Sequence, residues 1–97
     1  MPFEELDLHA CYERARRAYT ESTAGDENIF TEELGMSVGA VGVIDESVRI
    51  TFNGKDKISY LLESKLKLVS FTGKELGYYC LHEDETGNIV DDFLVFE

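Results

Sequence analysis

Leu8-His9-Ala10-Cys11-Tyr12-Glu13-Arg14-Ala15-Arg16-Arg17-Ala18-Tyr19 carries its apolar side chains at Leu8, Cys11, Tyr12, Ala15, Ala18 and Tyr19, the spacing of one face of an α-helix. Glu13, Arg14 and Arg17 fall mainly on other faces. Glu4, Glu5 and Asp7 precede the stretch and Arg14, Arg16 and Arg17 lie in its later turns, an order that complements the helix macrodipole. The pattern predicts a helix over residues 4–23, stopped by Thr23-Ala24-Gly25-Asp26. Leu8, Cys11, Tyr12, Ala15 and Tyr19 are the expected buried face, packed on sheet residues that include Ile50, Phe52 and Leu68.

Beyond the helix the period changes. Residues 26–35 are acidic and read as a connector, with at most one helical turn at Thr31-Glu32-Glu33-Leu34 before Gly35. The glycines from Gly35 to Gly42 suit a strand that bends or is closely approached. Turn signals then recur at Asp45-Glu46-Ser47, Asn53-Gly54-Lys55, Glu63-Ser64-Lys65, Thr72-Gly73-Lys74 and Asp84-Glu85-Thr86-Gly87-Asn88, which predicts an antiparallel meander. The expected fold is α+β: one domain over residues 1–97, an N-terminal amphipathic helix on an antiparallel β-meander of five or six strands. A three-residue loop at Asn53-Gly54-Lys55 would pair Phe52 with Asp56, Ile50 with Ile58 and Val48 with Tyr60. Ile58, Leu61, Leu62, Leu66 and Val69 also fit helical spacing, so a short second helix at 57–64, leaving four or five strands, is the alternative.

The last two strands, Leu76 to Glu83 and Ile89 to Phe96, are apolar at both parities. A helix covers one face of a sheet, so self-association through these C-terminal strands is expected to cover the other.

The 97 residues hold twenty Asp and Glu against nine Lys and Arg, a formal charge of −11. Such a chain is repelled by nucleic-acid phosphates and anionic lipid, so direct nucleic-acid or membrane binding is not expected. The longest uncharged run, Leu34 to Ile44, is far shorter than the roughly 20 apolar residues of a membrane span. The N-terminus is acidic where a secretory leader is basic, and two cysteines suit a reducing compartment; a cytoplasmic location is expected.

No catalytic constellation emerges. On a helix His9 and Cys11 point about 200° apart, and Cys80-Leu81-His82 lacks the usual zinc-ligand spacing, so no metal site is expected. Cys80 with His82 lacks a third, orienting group. Gly35 to Gly42 lacks a phosphate-loop Lys-Ser/Thr, and Asp84, Glu85, Asn88, Asp91 and Asp92 do not match a calcium loop. The chain reads as non-catalytic and without a cofactor, its thiols packed in the core and its histidines near the surface.

The carboxylates are segregated: between Ala18 and Val48, and again from Glu75 to Glu97, there is no Lys or Arg. A basic protein surface is therefore the expected partner, met by Glu83, Asp84, Glu85, Asp91 and Asp92 at a hairpin tip. The alternative is a small-ligand-binding homo-oligomer with an aromatic pocket between helix and sheet, lined by Tyr12, Tyr19, Phe52, Tyr60 and Tyr78. In size and acidity the chain resembles accessory proteins of mobile elements, such as toxin-immunity proteins and some anti-CRISPR proteins; no motif carries that resemblance.

Overall fold

The computed structural model describes residues 7–24, 27–52 and 59–97. Asp7 caps helix α1 (Leu8–Thr23): it is extended, and its carboxylate accepts from the backbone N–H of His9 and Ala10 at 3.0 and 3.3 Å. The expected first residues 4–6, and Gly25-Asp26 of the stop signal, lie outside the described residues. Cys11, Ala15, Ala18 and Tyr19 form the buried stripe and Tyr12 flanks it, but Leu8 is 55 % exposed. It stands one turn before Cys11, where the stripe begins, so its expected burial is corrected.

Residues 26–35 are not the expected connector. Helix α2 (Glu27–Leu34) spans eight of them and ends at Gly35, whose φ of 68° is cheap only for glycine. Its anchor is Phe30, fully buried and edge-on to Tyr19 and Phe96 at centroid distances of 6.4 and 5.2 Å. Nor is the glycine-bearing stretch a strand. Gly39 lies in a 3-10 turn, Val38–Ala40, and the sheet begins at Gly42.

Four antiparallel strands follow, rather than five or six: β1 (Gly42–Phe52), β2 (Tyr60–Val69), β3 (Glu75–Asp84) and β4 (Ile89–Phe96), in spatial order β1-β2-β3-β4. α1 and α2 make this the expected α+β class, with the second helix at 27–34 instead of 57–64. Residues 57 and 58 lie outside the described residues, and Tyr60 to Ser64 are strand.

The first hairpin pairs Phe52 with Tyr60, Ile50 with Leu62 and Val48 with Ser64, which corrects the three-residue-loop register. The loop itself, Asn53 to Lys55, lies outside the described residues. The difference is an even number of residues, so Val48, Ile50 and Phe52 keep the face assigned to them, as strand alternation requires. Phe52 nonetheless packs edge-on to Tyr60 at 6.1 Å near the sheet's end and is 38 % exposed, not buried.

Glu63-Ser64-Lys65, expected as a turn, is the middle of β2. Tyr60, Leu62, Ser64, Leu66 and Leu68 point towards the helices and are buried, while Leu61, Glu63, Lys65 and Lys67 alternate onto the opposite face and are half-buried. Ser64 reads as a turn residue but lies wholly buried in the sheet's interior.

The same alternation sorts the C-terminal strands. Tyr79, Leu81, Leu94 and Phe96 face the helices, while Tyr78, Cys80, Phe93 and Val95 lie on the other, open face. Gly77 sits where β3 and β4 approach closely: an added Cβ would collide with the Val95 carbonyl oxygen, and the residue's φ is 152°.

Candidate functional site

Three polar tethers fasten α1 across the sheet. Arg14 Nε donates to Glu83 Oε2 on β3 at 2.9 Å, and Arg14 Nη2 reaches Cys11 Sγ at 3.6 Å. Arg16 holds the first residues of β1: it donates from Nε and Nη2 to Asp45 Oδ1 at 3.0 and 2.7 Å, and from Nη2 to the Val43 carbonyl at 3.2 Å. Asp92 on β4 accepts from Ser22 Oγ at 2.9 Å and from Tyr79 Oη at 2.8 Å.

These tethers divide the expected partner-binding carboxylates. Glu83 and Asp92 point towards the helices, and Glu83 is only 2 % exposed, so its place at an accessible tip is corrected. Strand alternation puts Asp84 and Asp91 on the open side. Asp84 builds the β3–β4 turn: its Oδ1 accepts from Thr86 Oγ1 at 2.6 Å, Thr86 N at 2.9 Å and Asn88 N at 3.0 Å. Those hydrogen bonds, the Thr86 hydroxyl foremost, hold the Asp84 carboxyl below its ordinary value. Glu85 follows in the turn and is half-buried, and Asp91 is exposed.

The five aromatics expected to line one pocket do not meet. Tyr19 is core, edge-on to Tyr79 at 5.6 Å; Tyr12 is half-buried on α1; Phe52 and Tyr60 pair at the sheet's end. Tyr78 lies on the open face, on the far side of the sheet from Tyr12 and Tyr19. Between α1 and the middle of the sheet the interior is filled, with Ala15, Leu66 and Leu68 fully buried; the small hollows on this side lie around Arg14 and Glu83 and take in only Tyr60 of the five.

A hollow of about 250 Å³ lies on the open face instead, floored by Tyr78, Cys80, Phe93 and Val95 and edged by Arg49, Glu63, Lys65 and His82. Lys65 Nζ stands 4.2 Å from the centre of the Tyr78 ring, and the His82 and Phe93 rings pack edge-on at 5.0 Å. Glu46 lies within 3.3 Å of Lys65 and 3.9 Å of Lys67, and Arg49 lies 4.0 Å from Glu63. The polar half of this face escaped the sequence reading because Glu63 and Lys65 were assigned to a turn. The period-two pattern of Glu63, Lys65 and Lys67 was the signal that could have found it.

Cys11 and Cys80 are free, buried thiols on opposite faces of the sheet, and burial pushes both above the ordinary thiol value. His9 is largely exposed, beside Glu13 at 2.8 Å. No group of three or more His, Cys, Asp or Glu placed to hold a metal occurs among the described residues. No described helix is long and apolar enough to cross a membrane. No protein family matches this chain, nor does any curated protein or solved structure resemble it.

Proposed function

We propose that this chain is a non-catalytic interaction protein that docks on a basic surface of a partner protein. The observation that carries the reading is how the charges are spent. Arg14, Arg16, Arg49, Lys65 and Lys67 all lie within ion-pair distance of a carboxylate, which leaves only Arg17 and Lys74 of the described Lys and Arg outside such pairs. The carboxylate surplus faces outward: Glu21, Glu32, Glu33, Glu75 and Asp91 are exposed. A field of this sign steers a basic partner towards the protein and repels nucleic acid.

A non-catalytic role agrees with the state of the thiols. Cys80 is the one thiol with an imidazole on its own sheet face, and burial favours its protonated, weakly nucleophilic form. Free, separated cysteines suit a reducing compartment, and the cytoplasm is the location proposed. An inhibitor-type accessory protein of a mobile element is the class to which this size and acidity point.

The hollow on the open face favours a second reading, in which an aromatic small ligand lies on Tyr78 and Phe93. Affinity capture from the host at about 50 mM and about 300 mM salt separates the two, because screening weakens exposed charge pairs and spares apolar contact. The first reading expects a basic protein retained only at low salt. Retention that ignores salt, or of neutral or acidic proteins alone, would overturn it.

A further inference from the structure

The open face of the sheet differs electrically from the rest of the molecule. It gathers Arg49, Lys65 and Lys67 beside Glu46, Glu63 and Asp91, so the net charge of −11 is locally balanced there. The face is therefore a poor seat for the basic partner proposed above, and it is the place where two copies can meet with the least like-charge repulsion. Its β3–β4 half carries Tyr78, Cys80, Phe93 and Val95, with Phe93 43 % exposed.

The strand register shows how two copies would fit. Arg49, Glu63, His82 and Asp91 lie side by side in one row across the four strands. Rotation by 180° about an axis parallel to the strands turns one open face onto another and reverses the order of each row. β1 of one copy then faces β4 of its partner, and β2 faces β3. Arg49 meets Asp91, Glu63 meets His82, and both pairs occur twice, as an isologous interface demands. The next row brings Lys65 over Cys80, and the one beyond brings Lys67 over the Tyr78 ring.

We propose that the open sheet face is a homodimer interface, with a second copy of this chain seated on it in this two-fold arrangement. Packed sheets keep their strands within about 30° of alignment, which preserves this pairing of rows. Four strands spaced about 4.8 Å apart, with about ten residues each rising about 3.3 Å, present about 600 Å² per copy, or about 1,200 Å² in all. That is the low end for a specific complex, so the dimer is a weak one. Salt should strengthen it by screening the repulsion between the acidic flanks, the opposite of its effect on a basic partner.

Sedimentation of the full chain tests the proposal through a charge exchange, with Arg49 and Asp91 both exposed and away from the core. At about 100 µM the wild type should sediment as a dimer of the 11.0 kDa chain. Arg49→Glu and Asp91→Arg should each weaken the dimer about tenfold or more, and the double exchange should restore it. Asp91→Arg lowers the net negative charge, so weakening by this variant cannot come from general repulsion. Thermal melts confirm that each variant is folded, and either single replacement suffices if the other is not. A wild-type monomer, indifference to the single replacements, or no restoration by the exchange overturns the proposal. So does a small molecule or a different protein found bound to this face in place of the second copy. No partner enters the measurement, so its failure leaves the acidic docking reading standing.

Discussion

Arg14 Nε lies 2.9 Å from Glu83 Oε2, joining the middle of α1 to the end of β3 by an ion pair whose acid is buried and whose base is about one-third exposed. A carboxylate taken out of water is tolerated only when its charge is met, and Arg14 meets it. Glu83 therefore belongs to the frame of the protein. Its second oxygen, Oε1, has no hydrogen-bond partner among the described residues, which makes the Arg14 contact the more consequential. Arg14→Met should destabilise the chain by about 3 to 5 kcal/mol, because it strands the buried charge, whereas Arg14→Met with Glu83→Leu should recover much of that loss. Urea titration of the three proteins checks the pair.

The buried face of the helix layer is set by Phe30 and Cys11, with Leu8 outside it. Phe30→Ala should cost about 3 to 5 kcal/mol, the range for an emptied aromatic core site. Leu8→Ala should stay within about 0.5 kcal/mol, as for other surface positions. Denaturant midpoints that reversed this order would show the helix rotated from the orientation described.

Gly77 holds β3 against β4. Gly77→Ala forces a Cβ towards the Val95 carbonyl and the Phe96 Cα in a backbone region that side chains disfavour. Strain of about 1 to 3 kcal/mol is expected from the backbone alone, with the clash added to it. Amide exchange should quicken first in Val95 and Phe96.

The Asp84 turn gives a pH dependence of known sign. The folded protein holds this carboxyl below its ordinary value of 3.8, so the group adds stability above that value and loses the contribution as pH falls through the lower, folded one. Thermal melts between about pH 5 and about pH 2 should show the wild type converging on Asp84→Asn as the pH drops. A difference that stays constant over this range would mean that the turn does not depend on the ionised form.

The helix α1 was legible because its stripe repeats over about two and a half turns, from Cys11 to Tyr19. α2 was not, since its three apolar residues, Ile29, Phe30 and Leu34, stand among acids in too short a stretch to show a period, and a single turn before glycine reads as a loop. Three successive polar residues, Glu63-Ser64-Lys65, imitate a turn. The alternation of Glu63, Lys65 and Lys67 with Leu62, Ser64 and Leu66 is what puts Ser64 on the buried face and its neighbours on the other. The hairpin register slipped by an even number, so the faces were assigned correctly even though the partners were not. In the acidic hairpin the composition was visible, but its division was not. Alternation takes Glu83 and Asp92 inward, and the bulge between His82 and Glu83 shifts the register between them.

Glu32 and Glu33 on α2 are exposed and lie on the helix side of the sheet, away from its open face, which leaves them to meet a basic partner. The most direct test of the docking account is the association rate of the captured partner with the wild type and with Glu32→Gln/Glu33→Gln, measured by stopped flow over a range of salt. Glu83 and Asp84 stay in place so that the frame and the turn are intact. The account predicts that the wild-type rate falls steeply with salt, and that the double variant binds several-fold more slowly at low salt with a flatter dependence, its melting temperature nearly unchanged. Equal rates for the two proteins at low salt, or a wild-type rate that does not change with salt, would contradict it.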